Sequence, residues 1–143
     1  MGKIIYSQGS FDITHSGHIN ILKKCRKLAG DGGKVIIALV TDRAYVKYRG
    51  YKPAKKFVER KAILESFKYV DEVIPVDPPK TGEQIKKLNP DWVVIGSDWV
   101  SKNLYQQYNM KPEELDPILL YVPYTTKISS TMIKERIKNE NRS

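Results

Sequence analysis

The sequence predicts an α/β fold in which helices cover both faces of a doubly wound, five-stranded parallel sheet. Short apolar runs alternate with helix-like periodicities along almost all of the 143 residues. Residues 34–40, KVIIALV, are apolar at successive positions, as a strand buried on both faces requires. Two less regular segments, 41–55 and 98–117, each follow a strand directly. Both should therefore lie at the carboxyl edge of the sheet, where open α/β folds bind ligands.

Each strand is predicted from an apolar run bounded by polar or turn-forming residues. The run Ile4-Ile5-Tyr6 predicts the first strand, and the runs KVIIALV, DEVIPV, DWVVIG and PILLYVP predict the other four. The expected strand positions are 3–7, 34–40, 71–76, 91–96 and 117–123.

The helices are predicted from apolar residues spaced three or four apart between these strands. They are expected at 18–28, 56–69, 81–88 and 129–138. The first should end at Gly30, and Cys25 should be one of its packing residues. The pattern predicts one domain spanning residues 1–143, with a nucleotide-sized site at the carboxyl edge of the sheet.

Composition is typical of a soluble globular protein, with 41% hydrophobic and 29% charged residues. No apolar run approaches the roughly 18 residues of a membrane span, and the N-terminus lacks the apolar core of a signal peptide. A single cysteine excludes an internal disulfide framework and a zinc site built from cysteines. We expect a cytoplasmic protein that is not inserted in a membrane.

The charge balance favours anionic partners, because 25 lysines and arginines against 16 acids give a net charge of +9. Residues 47–61, KYRGYKPAKKFVERK, carry seven of these bases and one glutamate. A solvated basic surface explains such a run. RNA binding is the competing interpretation, since Tyr45, Tyr48 and Tyr51 lie in or beside it.

Both histidines of the chain lie in one decapeptide, GSFDITHSGH at 9–18, between the first strand and the first helix. A glycine-bearing loop leading into a helix N-terminus is a common phosphate-binding arrangement, and two imidazole N–H groups there suit phosphoryl transfer. Two alternatives remain open: a zinc or iron site, for which only Asp12 is near as a third ligand, and a purely structural role for His15 and His18.

The decapeptide resembles the G-(T/S)-F-D-x-x-H-x-G-H signature of the small cytidylyltransferases, within the wider HxGH nucleotidyltransferase superfamily. Four further segments occur in the family's order and spacing: VTD after the second strand, ERKAILESFKYVDEVIP, GSDW and ISSTMIKERI. The resemblance covers nearly the whole chain and is strongest to glycerol-3-phosphate cytidylyltransferases. It implies a Rossmann-like domain, CTP as nucleotide with its Mg²⁺, a small phosphorylated acceptor and a homodimer, with no nucleic acid.

The resemblance also implies which residues form the site. His15 and His18 would contact the phosphates and stabilise the pentavalent α-phosphorus, Lys47 would contact the triphosphate, and Ser130 would assist from the last helix. Nucleotide contacts are expected from Gly9, Ser10, Phe11, Gly17, Gly96, Asp98, Ser129 and Thr131. The acceptor is expected to contact Asp12, Arg60, Trp99 and Lys127.

One segment departs from the family pattern. Glycerol-3-phosphate cytidylyltransferases usually read R-T-E-G-I-S-T-T before the last helix, whereas this chain has Tyr124 in place of the arginine and Lys127 in place of the glycine. We expect Lys127 to take over the phosphate contact of the missing arginine.

These observations predict a nucleotidyltransferase that transfers CMP from CTP to glycerol 3-phosphate, giving CDP-glycerol and pyrophosphate. The same chemistry with another acceptor or nucleotide is the first alternative: a sugar phosphate with ATP or CTP, or phosphoethanolamine with CTP. An RNA-binding module is the alternative from another class, because class I aminoacyl-tRNA synthetases share the HxGH core.

Overall fold

Five parallel strands form one sheet in the order β3-β2-β1-β4-β5. The computed structural model describes residues 2–96 and 103–123. The strands are β1 (Ile4–Gly9), β2 (Lys34–Val40), β3 (Glu72–Val76), β4 (Trp92–Gly96) and β5 (Leu119–Val122). All four neighbouring pairs are parallel, as predicted.

Six helices lie in the described parts of the connections between the strands. These are α1 (Ser16–Ala29), α2 (Asp42–Arg49), α3 (Phe57–Glu65), α4 (Thr81–Leu88), α5 (Leu104–Tyr108) and α6 (Pro112–Leu115), followed by a 3-10 turn (Asp116–Ile118). None of the helices in the described part of the chain has the length and apolar composition needed to cross a membrane.

Both faces of the sheet are buried, because successive residues of β2 enter different apolar clusters. Ile37 and Leu39 pack with residues of α1 and α3, whereas Ala38 and Val40 pack with residues of α4, α5 and α6. Cys25 lies in the first cluster and is fully buried, which confirms its predicted packing role.

The sheet order places a topological switch point between β1 and β4. The chain leaves β1 towards β2 through α1 on one face, whereas α4 reaches β4 across the other face. A crevice outside the carboxyl ends of β1 and β4 follows from this divergence, and ligands bind at such crevices in open α/β sheets.

The second helix was not expected from the sequence, since 41–55 was predicted to be irregular. The Thr41 hydroxyl caps α2 by accepting a hydrogen bond from the Ala44 N–H (3.2 Å). Only Ala44 and Tyr45 of this helix are buried. A helix with so narrow an apolar stripe shows little periodicity in its sequence. The short α5 and α6 likewise fall inside a segment predicted to be irregular.

The third helix is shorter than the predicted 56–69. It ends at Glu65, and the Ser66 hydroxyl donates a hydrogen bond to the Ile63 carbonyl. Phe67 and Tyr69 still pack against the core. Their apolar spacing continues that of the helix, although they lie in the turn that follows it. The predicted final helix at 129–138 lies outside the described residues.

Candidate active site

The loop after β1 folds back over Gly9, the last residue of that strand. Phe11 has a left-handed backbone (φ 46°) and a buried ring. A Cβ atom on Gly9 would lie 2.8 Å from Cε2 of that ring. A side chain at this position would therefore require the Phe11 ring to shift, whereas glycine lets the strand end directly beneath that ring.

The two histidines cap helix α1 reciprocally. His15 is the N-cap, and its Nδ1 accepts a hydrogen bond from the Gly17 N–H (3.1 Å). In return, Nδ1 of His18 accepts a hydrogen bond from the His15 N–H (3.3 Å). The two ring centroids lie 4.0 Å apart. The three-residue spacing is thus that of a capping box built from imidazoles.

This capping fixes where the proton of each neutral ring lies. Because Nδ1 accepts a hydrogen bond in both histidines, the proton of a neutral ring is on Nε2. Burial lowers the pKa of His15. Burial and the neighbouring charge of His15 lower the pKa of His18 to about 4, against an opposing backbone hydrogen bond with Ile13. Both rings are therefore neutral hydrogen-bond donors at pH 7.

Nε2 of His15 is buried and has no hydrogen-bond partner within residues 2–96 and 103–123. The residue itself is only 7% exposed. An unpaired buried N–H is costly unless a ligand accepts from it. Its position at the N-terminus of α1 adds the positive end of the helix dipole. The arrangement favours an anion at this point.

Asp12 and Arg60 differ in their surroundings from what was expected of acceptor ligands. The buried Asp12 carboxylate accepts hydrogen bonds from the Ala54 and Lys55 N–H groups, both at 2.8 Å. The Arg60 side chain is 0% exposed, so its guanidinium does not face a solvent-filled space.

The Arg60 guanidinium is surrounded by acceptors of the protein itself. It donates to the carbonyls of Ser10 (2.8 Å), Val40 (2.8 Å) and Lys55 (3.0 Å), and to Oδ1 of Asp42 (2.8 Å). Its position ties the loop after β1 to the end of β2 and to the starts of α2 and α3. Both residues thus hold this edge together in the structure.

The basic residues of α2 point in different directions. Lys47 Nζ is 5.9 Å from the centroid of the exposed Tyr48 ring. The Arg49 guanidinium lies 5.5 Å from the centroid of the Tyr45 ring. Tyr45 is buried, and its hydroxyl is 3.4 Å from Oδ2 of Asp12. Arg49, rather than Lys47, therefore shares the face of α2 that packs toward the loop after β1.

Arg49 was not among the residues predicted from the sequence. The spacing of four residues from Tyr45 could have indicated it, because that spacing places the two side chains on one helix face.

The remaining predicted residues are partly described. Ser10 and the buried Gly17 lie in the loop and in the first turn of α1, and Gly96 is buried at the end of β4. Six predicted residues fall outside the described ranges: Asp98, Trp99, Lys127, Ser129, Ser130 and Thr131. Within the described ranges, no three histidine, cysteine, aspartate or glutamate residues are grouped so that they could hold a metal ion.

Comparison with known proteins identifies the family of the chain. Residues 6–136 match the model of the cytidylyltransferase-like family. The glycerol-3-phosphate cytidylyltransferase of Bacillus subtilis (strain 168) is 34% identical over an alignment of 139 residues that covers 94% of this chain and 97% of that protein. An FAD synthase of Korarchaeum cryptofilum (strain OPF8) is 30% identical over 96% of this chain and 92% of its own length.

A solved structure shows the same fold. The lipopolysaccharide core biosynthesis protein from Thermoplasma volcanium GSS1 superposes with a TM-score of 0.70 at 21% identity, over 87% of this chain and 98% of that one. The chain belongs to the cytidylyltransferase-like family and is a nucleotidyltransferase, as the sequence predicted.

Proposed function

We propose that the protein transfers CMP from CTP to a phosphorylated alcohol, with glycerol 3-phosphate as acceptor, giving CDP-glycerol and pyrophosphate. The observation that carries this proposal is the buried Nε2–H of His15 at the N-terminus of α1. The similarity to a glycerol-3-phosphate cytidylyltransferase over nearly the full length of both proteins supports the choice of substrates.

The reaction is an in-line displacement at the α-phosphorus of the nucleotide. An oxygen of the acceptor phosphate forms the new bond to phosphorus. The bond from that phosphorus to the bridging oxygen of the β-phosphate breaks, and its electron pair leaves with pyrophosphate. The attacking oxygen is already ionised at pH 7, so no general base is needed.

The residues of the loop contribute by positioning and charge stabilisation. The His15 Nε2–H and the N-terminus of α1 would donate to phosphate oxygens that gain charge in the transition state. The His18 N–H would join them by exchanging its backbone hydrogen bond with Ile13 for one to a phosphate oxygen. Mg²⁺ would arrive as part of the nucleotide substrate and neutralise charge on the triphosphate. Arg49 or Lys47 would add a cation from α2, and the expected hydroxyls of Ser129, Ser130 and Thr131 would hold phosphate from the last helix.

Another nucleotide or acceptor is the second candidate. A relative of comparable coverage is named FAD synthase, and the nucleotide part of FAD carries adenine. ATP is therefore the competing donor for the same chemistry.

A panel of nucleotides against acceptors, read by pyrophosphate release, tests the proposal. CTP with glycerol 3-phosphate should give the highest kcat/KM, and omission of the acceptor should abolish release. Faster turnover with ATP would overturn the choice of nucleotide, and faster turnover with a sugar phosphate would overturn the choice of acceptor. Sedimentation of the same preparation tests the homodimer that we also propose.

A further inference from the structure

A cluster of four neutral polar side chains, two buried and two partly exposed, lies at the carboxyl end of β1 beside the apolar cluster on the α4 side of the sheet. Its members are Tyr6, Gln8, Thr81 and Gln84. The Thr81 hydroxyl donates to Oε1 of Gln8 (2.7 Å), and the Tyr6 hydroxyl donates to Oε1 of Gln84 (2.7 Å). Nε2 of Gln84 donates in turn to the Pro75 carbonyl (2.9 Å).

These hydrogen bonds orient the Gln8 amide. Because Oε1 of Gln8 receives the Thr81 hydroxyl, the NH₂ group lies on the other side of the amide. None of the described residues accepts a hydrogen bond from that Nε2. Gln8 is partly exposed and directly precedes Gly9, where the crevice between β1 and β4 opens. The protein thus holds two amide N–H groups at the edge of the crevice.

Gln8 and His15 lie on opposite sides of β1. Side chains alternate along a strand, so Gln8 and Tyr6 share the face that packs on α4, whereas His15 caps α1 on the other face. In an in-line displacement the attacking and leaving oxygens lie on opposite sides of the phosphorus. We place the α-phosphate over the end of β1, with pyrophosphate leaving over His15 and the N-terminus of α1. The acceptor then approaches the phosphorus from the side of Gln8.

The cluster carries no charge that could neutralise a cation. Its members are two amides, a hydroxyl and a phenol, and burial raises the pKa of the Tyr6 phenol, which keeps it neutral. An amide NH₂ donates to an alcohol oxygen but opposes an ammonium group, which has only donors. Burying an unpaired ammonium group beside it would be costly.

We infer that Gln8 is a specificity-determining residue, whose amide donates to a hydroxyl of the acceptor and so selects phosphates of neutral alcohols over phosphates of amino alcohols. The inference rests on the proposed function, because it assigns the acceptor end of that reaction. It explains how one side chain just before the loop would exclude phosphoethanolamine while leaving the transfer chemistry unchanged.

Two acceptors of almost identical shape test this directly. 2-Hydroxyethyl phosphate and phosphoethanolamine differ only in a hydroxyl against an ammonium group. The ratio of their kcat/KM values is measured for the wild type and for Gln8→Glu, with the nucleotide that the wild type uses best. The glutamate keeps the Thr81 hydrogen bond and adds a negative charge. The ratio should favour the hydroxyl compound in the wild type and shift toward phosphoethanolamine by roughly 10- to 100-fold in the variant, as for hydrogen bonds to charged groups.

A second variant and a control keep the result interpretable. Gln8→Met, which keeps the length but removes the amide, should lose the wild type's preference for 2-hydroxyethyl phosphate over ethyl phosphate. The control Gln107→Glu makes the same neutral-to-acidic change on α5 and should leave both ratios as in the wild type. Thermal melting of each variant shows whether it is folded.

The outcomes distinguish a failure of this inference from a failure of the proposed function on which it rests. Unchanged ratios in folded Gln8→Glu and Gln8→Met would overturn the role of Gln8 while leaving the transferase proposal intact. A wild type that prefers phosphoethanolamine would also overturn the role of Gln8. If the wild type released pyrophosphate with no phosphorylated alcohol, the proposed function would fall and this inference with it.

Discussion

His15 uses its two ring nitrogens for different purposes. Nδ1 completes the cap of α1, whereas Nε2 is left as a buried donor without a partner among the described residues. The sequence indicated a phosphate role from the spacing of the histidines and the neighbouring glycine. The capping box could not be anticipated, because serine, threonine, aspartate and asparagine are the usual N-caps. Because the cap uses only Nδ1, a structural role and the proposed catalytic role need not compete at this residue.

Separating the two roles is possible with His15→Asn. Asparagine is a good N-cap, so its side-chain oxygen should keep the hydrogen bond from Gly17. It lacks an N–H group at the reach of Nε2. We expect kcat to fall by roughly 10²- to 10³-fold, as for removal of one transition-state donor, with melting close to wild type. His15→Ala is the matched comparison and should lose about 1 kcal/mol of stability in addition. Equal kcat in wild type and His15→Asn would contradict the donor role.

The lowered pKa of His18 predicts how stability depends on pH. The folded protein takes up this proton near pH 4, whereas the unfolded chain takes it up near the ordinary value of 6.5. Between these values the unfolded state binds more protons, so the free energy of unfolding rises with pH. It therefore decreases as pH falls from about 6.5 towards 4. Urea unfolding at pH 7 and pH 5 should show a smaller loss in His18→Gln, whose glutamine can keep the capping bond but does not titrate. The same loss in both proteins would contradict the shift.

At the scale of elements, all five strands and helices α1, α3 and α4 were predicted close to their observed positions, because each has a clear apolar pattern. Helix α2 was missed, and this changed the choice of the cationic residue. In a loop, Lys47 could have been placed anywhere, and the family order favoured it. In a helix, Arg49 shares the face of Tyr45, and Lys47 does not. The choice between the two bases therefore depends on knowing that these residues form a helix.

The helix geometry predicts different effects for the two bases. Arg49→Ala should lower kcat/KM for the nucleotide by roughly 10- to 100-fold, as expected for hydrogen bonds to a charged group, and Lys47→Ala should have a much smaller effect. Lys68→Ala is a suitable control, because Lys68 also lies over a neighbouring tyrosine ring (5.4 Å from the centroid of Tyr69). Initial rates against nucleotide concentration at fixed ionic strength measure this. A larger loss in Lys47→Ala would restore the family-based choice.

At the scale of the whole molecule, the carboxyl edge of the sheet is held together by buried polar groups rather than by apolar packing alone. Asp12 and Arg60 join four separate segments through hydrogen bonds to backbone groups. The resemblance to the family implied that both contact the acceptor, but a charged residue next to a motif is as compatible with a buried hydrogen-bond network as with a ligand. Burial separates the two interpretations, and burial is a property of the folded chain that no local pattern reports.

Arg60→Met tests this structural role. Methionine fits the apolar part of the site but leaves the carbonyls of Ser10, Val40 and Lys55 without the guanidinium donors. At about 1–3 kcal/mol for each buried unsatisfied group, we expect a loss of about 3 kcal/mol or more, and a melting temperature lower by about 10 °C. Arg60→Lys should also be destabilised, since a point-like ammonium cannot reach acceptors arranged around a planar guanidinium. If Arg60 instead bound the acceptor, the variant would melt like wild type and only its KM for the acceptor would rise. Melting curves and acceptor KM values measured on the same preparations therefore decide between a residue that binds the acceptor and one that holds the loop in which His15 lies.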